Sequence, residues 1–90
     1  MALLDLLGRR WAMRILWELR DGARTFRGLQ DAMDGVSPSV LNARLRELRD
    51  ADLVDRVEGE GYVLTRHAVE LSAHLVPLDA WARKWARRQR

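Results

Sequence analysis

The apolar residues in the first quarter of the chain recur at the spacing of a helix that buries one side. They follow the three- and four-residue period of an amphipathic helix. They are Leu3, Leu4, Leu7, Trp11, Ile15, Leu16 and Leu19. Gly8 can divide this segment into a short leading helix and a longer one, and Gly22 stands where a helix ends. We therefore predict a helical segment over residues 2–22.

A short second helix is predicted next. Thr25 stands where a helix N-cap is expected, because its hydroxyl oxygen can accept a hydrogen bond from a free backbone amide. The apolar residues on one side of this helix are Phe26, Leu29 and Met33. The Asp34-Gly35 pair that follows predicts a turn.

The third helix has the best-marked start in the sequence. Ser37 can serve as its N-cap, and Pro38 suits the first helical position, where no backbone N–H is needed. Val36 can pack against Leu41 as a hydrophobic staple. We predict this helix over residues 37–50. Its buried stripe is Leu41, Leu45 and Leu48.

The next segment changes to the two-residue period of strands. Residues 53–57 alternate apolar and polar side chains, residues 58–61 predict a Gly-rich reversal, and residues 62–65 predict the returning strand. Thr65 can cap a last helix, and Pro77 is expected to kink or restart it. The apolar seam of this helix is Ala68, Leu71, Leu75, Leu78, Ala82 and Trp85.

This order of elements predicts a mainly α fold with a small β-hairpin. Three helices, a two-stranded wing and a long C-terminal helix are the order of a winged helix-turn-helix domain. In that fold the third helix enters the major groove of DNA and the hairpin lies against the backbone. We predict one such domain over residues 1–90, with both ends of the chain contributing to a dimer.

Composition excludes several classes of protein. The 90 residues are 48% hydrophobic and 32% charged, which is typical of a folded chain with a single core and excludes a two-domain enzyme. The sequence has no Cys, which excludes disulfides, thiolate metal sites and thiol redox sensing. Its apolar stretches are too short to cross a bilayer, so the expected location is the cytoplasm, with no membrane partner.

Charge gives a weak indication of an anionic partner. The net charge is +3, and Lys84 is the one basic residue among sixteen that is not Arg. A GC-rich genome explains most of this Arg excess. The distribution is more informative, since residues 1–45 carry a net charge of +2, residues 46–65 of −3 and residues 66–90 of +4. Separate basic patches therefore surround an acidic middle.

The sequence offers no constellation typical of catalysis. His67 and His74 are seven residues apart and can share a helix face, but no carboxylate at coordinating spacing completes a metal site. Ser37 is better explained as a cap than as a nucleophile, and there is no Gly-rich phosphate loop. We therefore expect no enzyme activity, no metal and no cofactor.

The far side of the third helix carries the side chains that a DNA-reading helix uses. Arg pairs with guanine, Asn pairs with adenine, Ser contacts bases or phosphate, and Ala permits close approach or contact with a thymine methyl group. The predicted base-reading residues are Ser39, Asn42, Ala43 and Arg46. The alternative is that these side chains only solvate an exposed helix face.

Several basic and hydroxyl side chains around this face are predicted to contact phosphate. They are Arg24, Thr25, Arg27, Ser37, Arg44 and Arg49. Arg24 and Arg27 lie where the N-terminal end of the second helix favours an anion, although simple surface charge is an equal alternative. Arg44 lies at the edge of the buried stripe, so it can instead brace the domain through an acidic neighbour. Thr25 can act as cap, phosphate ligand or both.

A domain of this size has little room to bury all of its apolar residues, so both ends are predicted to form a dimer interface. The predicted interface residues are Leu3, Leu4, Leu7, Leu71, Leu75, Leu78, Trp81 and Trp85. An alternative role, a pocket for a small aromatic effector between subunits, involves Trp11, Trp17, Trp81 and Trp85. The Arg-rich end, WARKWARRQR, either adds nonspecific attraction to DNA or complements the helix dipole.

The sequence also resembles a known family over nearly its whole length. The segment GRRWAMRILWELRDGARTFRGLQDAMDGVSPSVLNARLRELRDADLVDR, followed by GYVLT, is similar to the HxlR-type regulators, which are relatives of the MarR group. The resemblance implies a homodimeric bacterial transcription factor that binds a near-palindromic operator in double-stranded DNA and often represses adjacent genes. It implies the same winged helix-turn-helix fold.

Three features depart from the family pattern. The wing is short and carries Glu58 and Glu60 where basic groups would face phosphate, so wing contacts with DNA are not expected. Ala68 stands where the family usually has Gly, and the N-terminal Cys of redox-sensing members is absent. The acidic wing and the modest charge leave an alternative function open, a winged-helix protein-interaction module with little DNA binding.

Overall fold

The computed structural model describes residues 2–89. The elements are α1 (Ala2–Leu7), α2 (Ala12–Glu18), α3 (Phe26–Ala32), α4 (Pro38–Asp50), β1 (Val54–Val57), β2 (Gly61–Leu64) and α5 (Arg66–Arg88). The predicted third helix is α4, and β1 and β2 pair antiparallel as the predicted hairpin. The predicted mainly α fold with a small hairpin is therefore confirmed. None of the helices described is long and apolar enough to cross a membrane.

The first helical segment is divided into two helices, as the position of Gly8 predicted. α1 ends at Leu7, and the chain turns before α2 begins at Ala12. Trp11, the N-cap of α2, has a φ of 78°. This left-handed conformation is rare for a bulky side chain and sets the angle at which the chain enters α2.

The predicted helix end at Gly22 is wrong. α2 ends at Glu18, and the amide of its C-cap Leu19 still donates to the carbonyl of Ile15. The Gly22 amide instead donates to the carbonyl of Leu19, and Gly22 has a φ of 143°. Its conformational freedom is therefore used in the turn after the helix.

The core is built around the leucine stripe of α4. Leu41, Leu45 and Leu48 are 0%, 1% and 0% exposed, which confirms the predicted stripe. They share one cluster with apolar side chains of α2 and α3, among them Ile15, Leu16, Leu29 and Met33. Burying a leucine contributes about 2 kcal/mol, so this stripe strongly favours one rotation of α4 about its axis.

The end of α4 is closed by a Schellman motif in which an aspartate takes the position that usually requires glycine. The amide of Leu53 donates to the carbonyl of Leu48 at 2.9 Å, and the amide of Asp52 donates to the carbonyl of Arg49 at 3.0 Å. Asp52 has a φ of 60°, which Asp tolerates better than most residues. Leu48 and Leu53 are both buried in the core, as is typical of this motif.

One threonine joins this helix end to the start of α5. The hydroxyl of Thr65 donates to the carbonyl of Asp52 at 2.7 Å, and its oxygen accepts from the amide of Ala68 at 3.3 Å. The second contact confirms Thr65 as the predicted N-cap of α5. The first ties the wing and α5 to the end of α4, since Thr65 directly follows β2.

The hairpin is extended by a third backbone segment that the sequence did not predict. Arg24 forms an isolated antiparallel bridge with Tyr62, and its amide donates to the Tyr62 carbonyl at 3.0 Å. The Tyr62 amide donates to the Arg24 carbonyl at 2.8 Å. Gly61 makes this approach possible, because a Cβ there would lie 2.5 Å from the Arg24 carbonyl oxygen.

α5 is continuous, so the predicted restart at Pro77 is wrong. Proline removes one backbone donor and leaves the carbonyl of Ala73 without its helical partner. Both residues are exposed, so water can satisfy that carbonyl. Ala68 is the one buried residue of α5, and the second half of the helix extends beyond the core.

Two glycines of the wing allow the cost of backbone strain to be measured apart from the cost of a steric clash. Gly59 and Gly61 have φ of 82° and 101°, but a Cβ at Gly59 would meet nothing within 4 Å. We expect Gly59→Ala to lower the free energy of unfolding by about 1 kcal/mol, through left-handed strain alone. Gly61→Ala adds the clash with Arg24, so we expect a loss of about 3 kcal/mol or more.

Urea unfolding of the two variants and the wild type measures this difference. Equal losses in the two variants would contradict the close approach of the Arg24 segment to the hairpin.

Candidate nucleic-acid interface

α3 and α4 form the two helices of a helix-turn-helix, and each begins at a capping hydroxyl. The Thr25 oxygen accepts from the Gly28 amide at 3.0 Å, and the Ser37 oxygen accepts from the Val40 amide at 3.2 Å. Both predicted caps are confirmed. The caps use these hydroxyls as acceptors, so each O–H remains able to donate, and Ser37 also lies 3.4 Å from the Ser39 hydroxyl.

Burial of the leucine stripe turns a polar face of α4 to solvent. Ser39, Asn42 and Arg46 are exposed and Ala43 is partly exposed, so the four predicted base-reading residues share one accessible face. At 100° per residue they lie within about 100° of one another, opposite the leucines. A helix is narrow enough to enter the major groove, which is about 12 Å wide.

Ion pairing sorts the arginines of this region into two groups. Within residues 2–89, Arg27, Arg46 and Arg49 form no salt bridge with a carboxylate, and all three are exposed. A guanidinium without a carboxylate partner keeps its donors available for phosphate or a base edge. These three arginines are therefore the ones best placed to contact DNA.

Arg44 belongs to the other group. Its Nη1 donates to both carboxylate oxygens of Glu47, at 2.5 and 2.6 Å, and its side chain is only 19% exposed. Arg9 approaches the same carboxylate at 3.5 Å. This geometry supports the bracing alternative for Arg44 over contact with phosphate.

Arg24 is also held within the chain. Its Nε donates to the carbonyl of Glu18 at 2.9 Å, and its Nη2 lies 3.7 Å from the Glu18 carboxylate. The side chain is 42% exposed, so part of the guanidinium still faces solvent. A phosphate contact by Arg24 would have to share its donors with α2.

The wing offers one basic residue that the sequence reasoning did not single out. Arg56 pairs with Tyr62 in the strand register, and its guanidinium lies 5.9 Å from the tyrosine ring. Arg49 and Arg56 line one recess beside the wing together with Glu58, and Glu58 and Glu60 are both exposed. Strand alternation in residues 53–57 could have indicated that Arg56 faces Tyr62.

The residues predicted to form the dimer interface divide into an exposed group and a group that is buried or half-buried in this chain. The exposed ones are Leu3, Leu4, Leu78, Trp81 and Trp85. Trp81 and Trp85 stack on α5 with ring centroids 6.2 Å apart. Leu71 and Leu75 are half-buried against the core, and Leu7 is only 8% exposed. Leu7 is therefore a core residue of its own chain, because α1 packs back against α2.

The four tryptophans do not converge on one pocket. Trp17 lines a groove of about 420 Å³ between α2 and α5, together with Met13, Leu75, Leu78 and Ala82. Arg14, Glu18 and Asp79 supply its polar part. Trp11 lines a different recess, beside α1. Trp81 and Trp85 lie on exposed α5 surface outside both.

The histidines are placed apart from any cluster of metal ligands. His67 Nε2 lies 3.4 Å from the Asp52 carboxylate, and both side chains are largely exposed. His74 is exposed on α5. Among residues 2–89, no group of three or more His, Asp or Glu side chains is placed to hold a metal ion.

Comparison with known proteins identifies the family. The profile of the HxlR-like helix-turn-helix family matches residues 6–90. The HTH-type transcriptional regulator MJ0925 of Methanocaldococcus jannaschii is 30% identical over 89 residues, covering 94% of this chain and 83% of the relative. The HTH-type transcriptional regulator YodB of Bacillus subtilis is 34% identical over 84 residues, covering 87% and 75% of the two chains.

Solved structures agree with this assignment. The quinone-bound crystal structure of YodB superposes with a TM-score of 0.83 at 31% identity and covers 92% of each chain. A possible HxlR family transcriptional factor from Thermoplasma volcanium superposes with a TM-score of 0.86 at 29% identity, covering 94% of this chain and 82% of the other. The resemblance noted in the sequence is confirmed. The chain belongs to the HxlR-like helix-turn-helix family, and it is a DNA-binding transcriptional regulator rather than an enzyme.

Proposed function

We propose that this regulator binds a near-palindromic operator as a homodimer and represses the adjacent genes. α4 of each subunit enters the major groove, where Ser39, Asn42, Ala43 and Arg46 read base edges. Because it acts on chromosomal DNA, its proposed place is the cytoplasm of a bacterial cell. Repression and the palindrome are inferred from the resemblance to the family.

The observation that carries this proposal is the combination of a polar exposed face and unpaired arginines on the helix-turn-helix. Arg46 shares the exposed face of α4 with Asn42, and no carboxylate among the described residues occupies its guanidinium. Arginine can make a bidentate contact with guanine, and asparagine can make one with adenine. The geometry thus supports base reading over solvation alone.

Phosphate contacts are assigned to the side chains around this face. Within residues 2–89, Arg27 and Arg49 form no salt bridge with a carboxylate, and Thr25 and Ser37 keep hydroxyl protons able to donate. Such contacts fix the position of a helix on the duplex without reading its sequence. Arg24 and Arg44 are secondary candidates, because Glu18 and Glu47 already bind them.

The proposed dimer uses the exposed apolar residues at the two ends of the chain. Leu78, Trp81 and Trp85 are 52%, 59% and 51% exposed on α5, and Leu4 is 58% exposed on α1. Large apolar side chains left in water favour burial against a second subunit. A two-fold dimer would place its reading helices about one helical turn of DNA apart, roughly 34 Å.

We further propose that a small aromatic molecule modulates DNA binding. YodB has been crystallised with bound quinone, a flat conjugated ring molecule of the size of a small aromatic ligand, and this supports a small-molecule effector for the present chain. In this chain the groove between α2 and α5 offers an indole wall, Trp17, and the apolar side chains of Met13 and Leu78. Since the sequence has no Cys, the molecule could not form a covalent bond to a thiol of this chain.

The proposed function is tested by titrating the purified protein onto its own upstream intergenic DNA and onto a scrambled duplex. The salt concentration is varied from about 50 to 200 mM. We expect a preference of ~10³-fold or more for the intergenic duplex, a steep salt slope, and two chains per duplex by sedimentation. Weak and equal binding to both duplexes would favour the protein-interaction module instead.

Arg46 tests base reading. We expect Arg46→Ala to weaken operator binding by about 1 to 3 kcal/mol and to relax the preference at one base pair. Arg46→Lys is the matched control, because it keeps the charge but loses the planar guanidinium fork. It should retain affinity for scrambled DNA while losing discrimination. Equal losses on operator and scrambled DNA would contradict a base contact.

Arg27 tests phosphate contact. We expect Arg27→Ala to weaken binding to every sequence and to reduce the salt slope by about one unit, because one fewer counterion is released. Arg83→Ala removes the same charge from α5, where Asp79 already binds that guanidinium at 3.1 Å. An unchanged slope for Arg27→Ala would exclude a phosphate contact by Arg27, and an equal change for Arg83→Ala would attribute the effect to net charge.

A further inference from the structure

Two arginines meet at Glu18, the last residue of α2. The Glu18 side chain is only 13% exposed, and its Oε2 accepts from the Nε of Arg14 at 2.8 Å. Its Oε1 lies 3.7 Å from the Nη2 of Arg24, whose Nε donates to the Glu18 backbone carbonyl at 2.9 Å. Glu18 therefore neutralises one cation from its own helix and one from the segment that precedes α3.

The same two arginines reach both ends of α3. The Nη2 of Arg14 donates to the carbonyl of Ala32, the last residue of α3, at 2.9 Å. Arg24 directly precedes Thr25, the N-cap of α3, and its backbone forms the bridge with Tyr62 of the wing. One carboxylate thus connects the start of α3, the end of α3 and the wing to a single point on α2.

We propose that Arg14, Glu18 and Arg24 form a clamp that holds α3 and the wing in the orientation required for DNA binding. Glu18 is the positioning residue of this clamp and does not touch DNA itself. The proposal rests on the proposed function, because the clamp acts through the phosphate contacts of Thr25 and Arg27.

A change of charge at Glu18 tests this proposal, because loss of the clamp and long-range electrostatic attraction predict opposite changes in DNA affinity. Glu18→Gln replaces the carboxylate by an amide of the same shape and raises the net charge by one unit. Attraction to phosphate alone would then strengthen DNA binding slightly. Loss of the carboxylate would instead weaken DNA binding, since Arg14 and Arg24 would lose the charged partner that orients their contacts with the two ends of α3.

We expect Glu18→Gln to weaken binding to the intergenic duplex by about 3- to 30-fold. Asp21→Asn is the matched control: it makes the same charge change three residues later, where the side chain is 83% exposed and its closest cation is Arg20 at 3.8 Å. This control should bind as tightly as wild type or slightly tighter. Glu18→Gln binding that equals or exceeds the control would overturn the clamp as a determinant of DNA binding.

Arg14→Lys provides a second variant at constant net charge. A single ammonium group is too compact to satisfy both the Glu18 carboxylate and the Ala32 carbonyl as the guanidinium does. We expect it to weaken binding in the same direction as Glu18→Gln. Wild-type affinity in this variant would count against the connection between Glu18 and the end of α3.

Amide hydrogen exchange tests the clamp without DNA and so separates its failure from that of the proposed function. The amides of Arg24 and Tyr62 form the bridge between the α3 segment and the wing. In Glu18→Gln these amides should exchange at least several-fold faster than in Asp21→Asn, while the amides of Leu45 and Leu48 in α4 stay unchanged. Equal exchange at Arg24 and Tyr62 in the two variants would overturn the clamp. Absence of DNA binding by the wild type would overturn the proposed function alone.

Discussion

The rotation of α4 about its own axis is the constraint on which the rest of the interface depends. Three leucines on one side of the helix are excluded from water, and no other rotation of the helix buries all three. Ser39, Asn42 and Arg46 therefore face solvent because the buried leucines lie on the opposite side of the helix. The hydrophobic core and the polar face that we propose reads DNA are two consequences of one periodic pattern.

The arginines differ in whether a carboxylate of the same chain binds them, and the proposal assigns DNA contacts mainly to those without such a partner among the described residues. The fold uses some arginines as internal connectors, as Arg44 with Glu47 and Arg24 with Glu18 illustrate. A connector already donates to a carboxylate or carbonyl of its own chain, so a phosphate contact would have to share those donors. On α3 and α4, the exposed arginines that form no salt bridge with a described carboxylate are Arg27, Arg46 and Arg49.

The sequence predicted what depends on local chemistry and missed what depends on contacts between distant segments. The caps Thr25, Ser37 and Thr65 were predictable because a hydroxyl at a helix start satisfies amides three residues away. The Arg24 bridge to Tyr62 was not, because strand pairing across such a separation leaves no periodic signal. Helical spacing does indicate the Arg44–Glu47 pair, which is three residues apart on α4, whereas the Arg24–Glu18 contact joins α2 to the segment before α3 and leaves no such signal.

The proposed clamp and the groove between α2 and α5 share two side chains, so the proposed ligand site and the proposed clamp are in direct contact. Arg14 and Glu18 line the groove between α2 and α5 and also hold the two ends of α3. A molecule seated there contacts the clamp directly. It can change DNA affinity only by as much as it binds the clamped and released arrangements differently. One partly buried carboxylate, Glu18, therefore belongs both to the proposed ligand site and to the proposed clamp.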